Sequence, residues 1–255
     1  MVETAKLSLL AKACAVLQAF DPQATELGVN ELARRTGIPK STVHRVAGEL
    51  ARVGILTRVD RKYELGTMLF ELGQLVPQRR DLREAALPFL EDLYVATRET
   101  VHLAVVADTD VVYVERIAGH ATRRTPSFVS GHLPLHCTAT GKALLAHSDP
   151  QLLASVLSAG LARRTPFTIT LPSVLEQELA GVRSRGYAVE REETRVGFVS
   201  VASPVFARGD VAIAAISVTG PVDRLDLDRV AGGVRAAARG LTLCLRAGSQ
   251  GSRAM

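Results

Sequence analysis

The chain has no tryptophan, and aromatic residues make up only 4% of its 255 positions. So few rings argue against a surface that stacks sugars or the bases of a single strand. Three cysteines are present, Cys14, Cys137 and Cys244, far apart and without a Cys-x-x-Cys pair. That excludes a disulfide framework and a cysteine-rich zinc site, and it suits a reduced, cytoplasmic setting. No window approaches the ~18 consecutive apolar residues of a membrane span, and the opening stretch is too evenly charged for a secretory leader. Thr140-Gly141-Lys142 lacks the preceding glycines of a phosphate loop. No convincing acid–base or nucleophile set appears, so neither an enzyme nor a cofactor is expected.

What the chain does have is a large apolar fraction, 47%, enough for a true core. It also has a small excess of positive charge, 31 Lys and Arg against 26 Asp and Glu. The excess is local. Arg34, Arg35, Lys40, Arg45, Arg52, Arg58, Arg61 and Lys62 face only Glu49 and Asp60 over that stretch. Such a cluster points to an anionic partner.

Residues 1–66 read as helix, helix, turn, helix and hairpin. Leu9, Ala13, Val16 and Phe20 share a helical face. Asn30 is a candidate cap for a short helix over 31–36, with Gly37 turning the chain. Pro39 suits the first position of the next helix, where Val43, Val46, Leu50 and Val53 form the buried face. Two short strands follow around Asp60-Arg61. Helix, glycine turn, then a helix opening on small polar and basic residues is the grammar of a helix-turn-helix. Lys40, Ser41, Thr42, His44 and Arg45 lie on the outer face, short enough or long enough to meet phosphates and base edges. Arg58, Arg61 and Lys62 form a basic wing. Residues 67–78 read as a linker helix ending at Pro77, and an Asp81-x-x-Glu84 box opens another helix.

From Thr100 the period changes to two. Hairpins are predicted over 101–117 and 199–219, the latter about Arg208-Gly209-Asp210. A long loop spans 119–137, helices lie near 141–146, 151–157 and 175–185, a strand covers 187–192, and a helix closes the chain over 227–245. Irregular mixing of helices and hairpins predicts an α+β domain on an antiparallel sheet. Alternation places Val211, Ile213, Ala215, Ser217 and Thr219 on one face, so two hydroxyls interrupt an apolar strand. Ser200 lies in the partner strand. The helix start at 138–142 offers unbonded amides as a carboxylate cradle. His132, His136 and Cys137 allow a metal- or redox-responsive sensor as an alternative, although their spacing fits no standard zinc pattern. A thiol hydrolase using Cys137 and His136 is disfavoured, because neighbours on a strand face opposite ways. Cys14 and Cys244 are expected in the core.

Four segments carry a resemblance. Residues 31–45, Glu-Leu-Ala-Arg-Arg-Thr-Gly-Ile-Pro-Lys-Ser-Thr-Val-His-Arg, are similar to the winged helix-turn-helix of the IclR family of bacterial transcriptional regulators. Residues 133–146, Leu-Pro-Leu-His-Cys-Thr-Ala-Thr-Gly-Lys-Ala-Leu-Leu-Ala, resemble that family's signature. Gly186-Tyr187-Ala188, Gly197, Pro204 and 214–221 follow in the same order. The resemblance implies a winged helix-turn-helix domain (1–66), a linker helix (67–78) and a GAF-like effector-binding and oligomerisation domain (79–250). It implies a repressor that binds double-stranded operator DNA as a homodimer or homotetramer. It also implies a small organic or aromatic acid effector, a carboxylate, at Ala139, Thr140, Glu190, Ser200, Ser217 and Thr219. Glu192 and Glu193 compete with Glu190 for the acidic position.

Overall fold

In a computed structural model, residues 8–21, 24–75, 77–118, 132–207 and 209–251 are described. The predicted loop residues 119–131, Val76 and Arg208 lie outside the described residues. The chain divides into two compact units, Met1–Arg80 and Asp81–Met255.

The first unit opens with α1 (Leu9–Gln18), capped by the Ser8 hydroxyl accepting from the Ala11 amide. A short strand β1 (Leu27–Gly28) leads into α2 (Val29–Thr36) and α3 (Lys40–Arg52). The hairpin β2 (Leu56–Val59) and β3 (Lys62–Leu65) pairs with β1 in the order β1-β3-β2. Val16, Leu32, Ile38, Val43, Val46, Leu50 and Tyr63 form the core. α4 (Thr67–Gln74) is followed by α5 (Pro77–Thr97), whose first turn still falls within this unit.

Several boundaries differ from the sequence expectation. Gly28, not Asn30, caps α2, because β1 delivers extended backbone directly into the helix. Pro39 is the cap of α3 rather than its first residue. The predicted linker helix is shorter, and Pro77 opens α5 instead of the box at Asp81; a proline has no amide to lose at a helix start. Leu9 and Val53 remain 57% and 48% exposed at the ends of their helices. Cys14 and Cys244 are both exposed rather than core.

The second unit is an α+β layer structure. Its sheet contains β4 (Thr100–Ala107), β5 (Asp110–Ile117), β6 (His132–Pro134), β7 (Ala188–Arg191), β8 (Phe198–Phe206) and β9 (Ala212–Pro221). The order is β6-β5-β4-β9-β8-β7, with every pairing antiparallel. One sheet face packs α5 and α9 (Leu227–Gly251) through Leu90, Leu103, Val201, Ile216, Val234 and Leu241. The other packs α6 (Ala139–Ala146), α7 (Pro150–Ala159) and α8 (Pro172–Arg185) through Leu135, Leu144, Val156, Leu179 and Ala215. In β9 the register shifts opposite Val205 and Phe206, leaving Ile213 between the residues paired to them. Strict alternation therefore fails there: Val211 and Ile213 are exposed while Ala215, Ser217 and Thr219 are buried.

Candidate effector cavity and DNA-reading face

The register of the second sheet brings dispersed polar residues into one line. Glu190 pairs with Ser200, Ser200 with Thr219, and Thr219 with Thr100, across four strands. The neighbouring row joins Ala202, Ser217 and His102. Polar side chains buried on a sheet face need partners, and these find each other. The Ser200 hydroxyl donates to Glu190 Oε2 at 3.1 Å and lies 2.9 Å from Thr219 Oγ1. Ser217 Oγ is 3.4 Å from His102 Nδ1.

Above the row sits the start of α6. A 3₁₀ turn, Leu135–Cys137, leads to Thr138, whose hydroxyl caps the Gly141 amide at 3.0 Å. Gly141 is required here, since a Cβ would collide with the Leu135 backbone. Helix and turn thus meet at backbone contact, and the first-turn amides of Ala139 and Thr140 have no intrahelical acceptor. Thr140 Oγ1 is buried without a well-formed hydrogen bond, and the Tyr113 phenol is placed beside it.

Between helix start and sheet lies a cavity lined by Tyr113, Leu133, Thr138, Ala139, Thr140, Glu190, Thr194, Phe198, Ser200, Ser217 and Thr219. All six effector residues named from the sequence meet there. Glu190 occupies the acidic position. Glu193 instead reaches Lys142 of α6, and Glu192 turns away with φ +56° to accept from the Gly197 amide. Tyr113, Leu133, Thr194 and Phe198 were missed. Tyr113 alternates with Val111 on β5, a readable signal; Thr194 sits in a turn, where periodicity is silent.

Among the described residues the lining holds no cation. Burial pushes Glu190 above the usual carboxylate range and Tyr113 up to about 12. Burial, then the Arg116 charge, lowers His102 to about 3, so its ring is neutral at physiological pH. An entering anion would be held by hydroxyls and the positive end of α6 rather than by a salt bridge. The cavity measures only about 20 Å³, room for a water but far short of the roughly 300 Å³ of a typical ligand pocket.

The His132, His136 and Cys137 grouping dissolves. His136 and Cys137 lie on the 3₁₀ turn, not on a strand, and both are buried. His136 Nε2 lies 3.1 Å from the Ala162 carbonyl, while His132 sits on β6 beside Asp110 at 3.6 Å. Burial raises the Cys137 thiol to about 12, which leaves it a poor nucleophile. Among the described residues no three His, Cys, Asp or Glu side chains converge as metal ligands.

In the first unit, Lys40, Ser41, His44 and Arg45 are exposed on α3 and Thr42 is half-buried. Arg58, Arg61 and Lys62 are exposed on the β2–β3 hairpin. The cations divide by their partners. Arg34 and Arg35 are clamped by Glu31, Arg52 by Glu49, and Lys62 by Glu26 at 3.2 Å. Among the described residues Lys40 and Arg45 carry no ion pair and project from a helix that buries its other face.

A helix-turn-helix with a basic hairpin, joined to a sheet domain enclosing a polar cavity, defines a DNA-binding regulator. Residues 9–60 match the IclR helix-turn-helix domain, and residues 74–243 match the C-terminal domain of bacterial IclR transcriptional regulators. The chain belongs to the IclR family of transcriptional regulators and is not an enzyme. It is 35% identical over 225 residues to the regulator KdgR of Dickeya chrysanthemi, covering 87% of this chain and 73% of that one. It is 29% identical over 232 residues to the repressor IclR of Escherichia coli, covering 89% and 85%. A crystal structure of an IclR homologue from Microbacterium hydrocarbonoxydans, complexed with 4-hydroxybenzoate, superposes with a TM-score of 0.86 at 35% identity, over 94% of this chain and all of that one. Among the described residues no helix is long and apolar enough to cross a membrane.

Proposed function

We propose that the protein is a cytoplasmic repressor whose affinity for its operator is set by a small organic or aromatic acid. The observation that carries this reading is the cavity itself. Six residues scattered from 139 to 219 meet around one space at a helix N-terminus, with an acid, four hydroxyls and, among the described residues, no cation. A carboxylate rests on the Ala139–Thr140 amides, and Ser200, Ser217, Thr219 and Glu190 read the remaining polar atoms. The complex of the Microbacterium homologue with 4-hydroxybenzoate supports an aromatic acid, and the E. coli relative's name supports repression.

Lys40, Ser41, Thr42, His44 and Arg45 read one major groove, with Arg58, Arg61 and Lys62 on the flanking backbone. A palindromic operator needs a second head. Leu9, Leu10, Phe70, Leu72 and Leu75 are exposed apolar residues of the first unit, which supports a dimer, or a dimer of dimers, that covers them. Ligand binding changes the spacing of the paired heads through residues 67–78. A coupling of about 1–3 kcal/mol is the usual size of such an effect.

The experiment is a binding titration of the full-length protein on duplexes from its own upstream region, with and without hydroxybenzoates and short keto acids. Salt-sensitive binding released by one of these acids is expected. Failure to bind any such duplex at low salt overturns the reading.

A further inference from the structure

A second opening in the C-terminal unit shares no residue with the hydroxyl-lined cavity. It is a cleft of about 520 Å³, walled by α9 and the ends of α6, α8 and β8. Its chemistry is the reverse of the first site. Arg235, Arg239, Thr242 and Arg246 recur at i, i+4, i+7 and i+11 of α9, which places them on one helical face. Like charges at that spacing repel, and nothing on the helix offsets them, since its only carboxylate is Asp228 in the first turn.

Among the described residues neither Arg235 nor Arg239 has an ion-pair partner. Arg246 is anchored by donating to the carbonyls of Ala207 at 2.8 Å and Gly209 at 3.3 Å. His147, just past α6, packs edge-on against Phe206 and buries its Nε2 without a partner. Phe206, Pro204 and Ala236 add apolar wall. The cleft therefore combines two guanidinium groups without ion pairs among the described residues, Arg235 and Arg239, with an apolar wall in one concavity. A convex row of surface cations would suit a duplex backbone. A concavity walled by paired arginines suits something that can enter.

We propose that this cleft is a second ligand site, for a small polyanion such as a phosphate ester or a polycarboxylate, whose acidic oxygens are shared by Arg235 and Arg239. Guanidinium forks match such oxygens in geometry and charge. The site would let a second metabolite act on the regulator independently of the cavity acid.

The test is calorimetric titration of the full-length protein with citrate and with inorganic phosphate at constant ionic strength. Saturable binding of at least one anion is expected. Arg235→Ala and Arg239→Ala, both at exposed positions, each weaken it about tenfold or more, the size of one lost charge-assisted hydrogen bond. Arg229→Ala, on the same helix but outside the cleft, leaves it unchanged. Citrate without phosphate identifies a polycarboxylate ligand, and phosphate binding points to a phosphate ester. The proposal is overturned if neither anion saturates, or if the two cleft variants bind as the parent does. It is also overturned if anion binding is absent while those variants lose affinity for random-sequence duplex, which would make the face a DNA contact.

Discussion

Thr194 holds one oxygen of Glu190 twice: its amide donates to Oε1 at 3.0 Å and its hydroxyl at 3.2 Å. The other oxygen accepts from Ser200. The cavity's acid is thus filled by the protein's own donors. One residue before Thr194, Glu193 reaches the fully buried Lys142 on α6. The floor of the cavity and the helix above it are tied through the single segment 190–194. Because only about 20 Å³ is open, any organic acid must part the two, and that segment is what such a movement pulls on.

Glu190 sets a pH dependence. Burial raises its pKa above the ordinary carboxylate value of 4.5, so the folded protein retains a proton that the unfolded chain releases. Stability is then lost as pH climbs from about 4.5 through the raised folded value. Glu190→Gln removes this loss and should raise Tm at pH 8, with each kcal/mol worth about 2–4 °C at this size. It should also flatten the pH dependence of carboxylate binding, since no ionised neighbour then repels the ligand. Thermal unfolding and titration from pH 5 to 8 check both; an unchanged slope would refute the assignment.

The Lys142–Glu193 pair should behave as a buried salt bridge. Lys142 is 1% exposed and Glu193 Oε2 has no partner. Removing one member strands the other charge, at a cost of about 3–5 kcal/mol. Lys142→Met alone is expected to lower stability by that order, and Lys142→Met with Glu193→Leu to recover most of it. Denaturant unfolding of the single and double variants measures the coupling, and additive losses would show that the pair is not a unit.

Much of this was legible in the sequence, for particular reasons. The helix-turn-helix was readable because Val43, Val46 and Leu50 repeat at helical spacing behind a glycine turn, and all are buried. Ser217 and Thr219 were readable because alternation marks a hydroxyl facing a core. The choice among Glu190, Glu192 and Glu193 was not, because a left-handed residue at 192 breaks the period between them. Cys14 and Cys244 misled: an apolar residue inside a helix can lie on the rim of the buried stripe rather than within it. The cleft on α9 also escaped, since its arginines are spread along one helix and its histidine lies far back in the chain.

Ser217 lines the cavity, so its size should govern ligand entry. Ser217→Phe fills the remaining space and overpacks the sheet, costing about 1–3 kcal/mol. The variant should still bind operator, because the substitution lies in the other unit, yet fail to release it with any acid. Electrophoretic mobility shifts with and without ligand separate the two effects. Retained release would move the effector elsewhere.

Arg34 and Arg45 are both exposed cations near the reading helix, but they are not equivalent. Arg34 is engaged by Glu31 through two hydrogen bonds, at 2.9 and 2.6 Å, and that carboxylate is held down to about 2 by its two arginines. It stays charged, so Arg34 enters any encounter already neutralised. Arg45 has no such partner among the described residues. Replacing Arg45 with Ala should therefore weaken operator binding by about 1–3 kcal/mol. If it touches a phosphate, the slope of log affinity against log salt becomes shallower by about 1; if it reads a base, the slope holds and discrimination at one position is lost. Arg34→Ala should change affinity much less, because its charge is already offset by Glu31, which Arg35 continues to hold at 2.9 Å. Salt titrations of the two variants on one duplex decide the matter, and equal losses would show that the free and paired cations had been assigned the wrong way round.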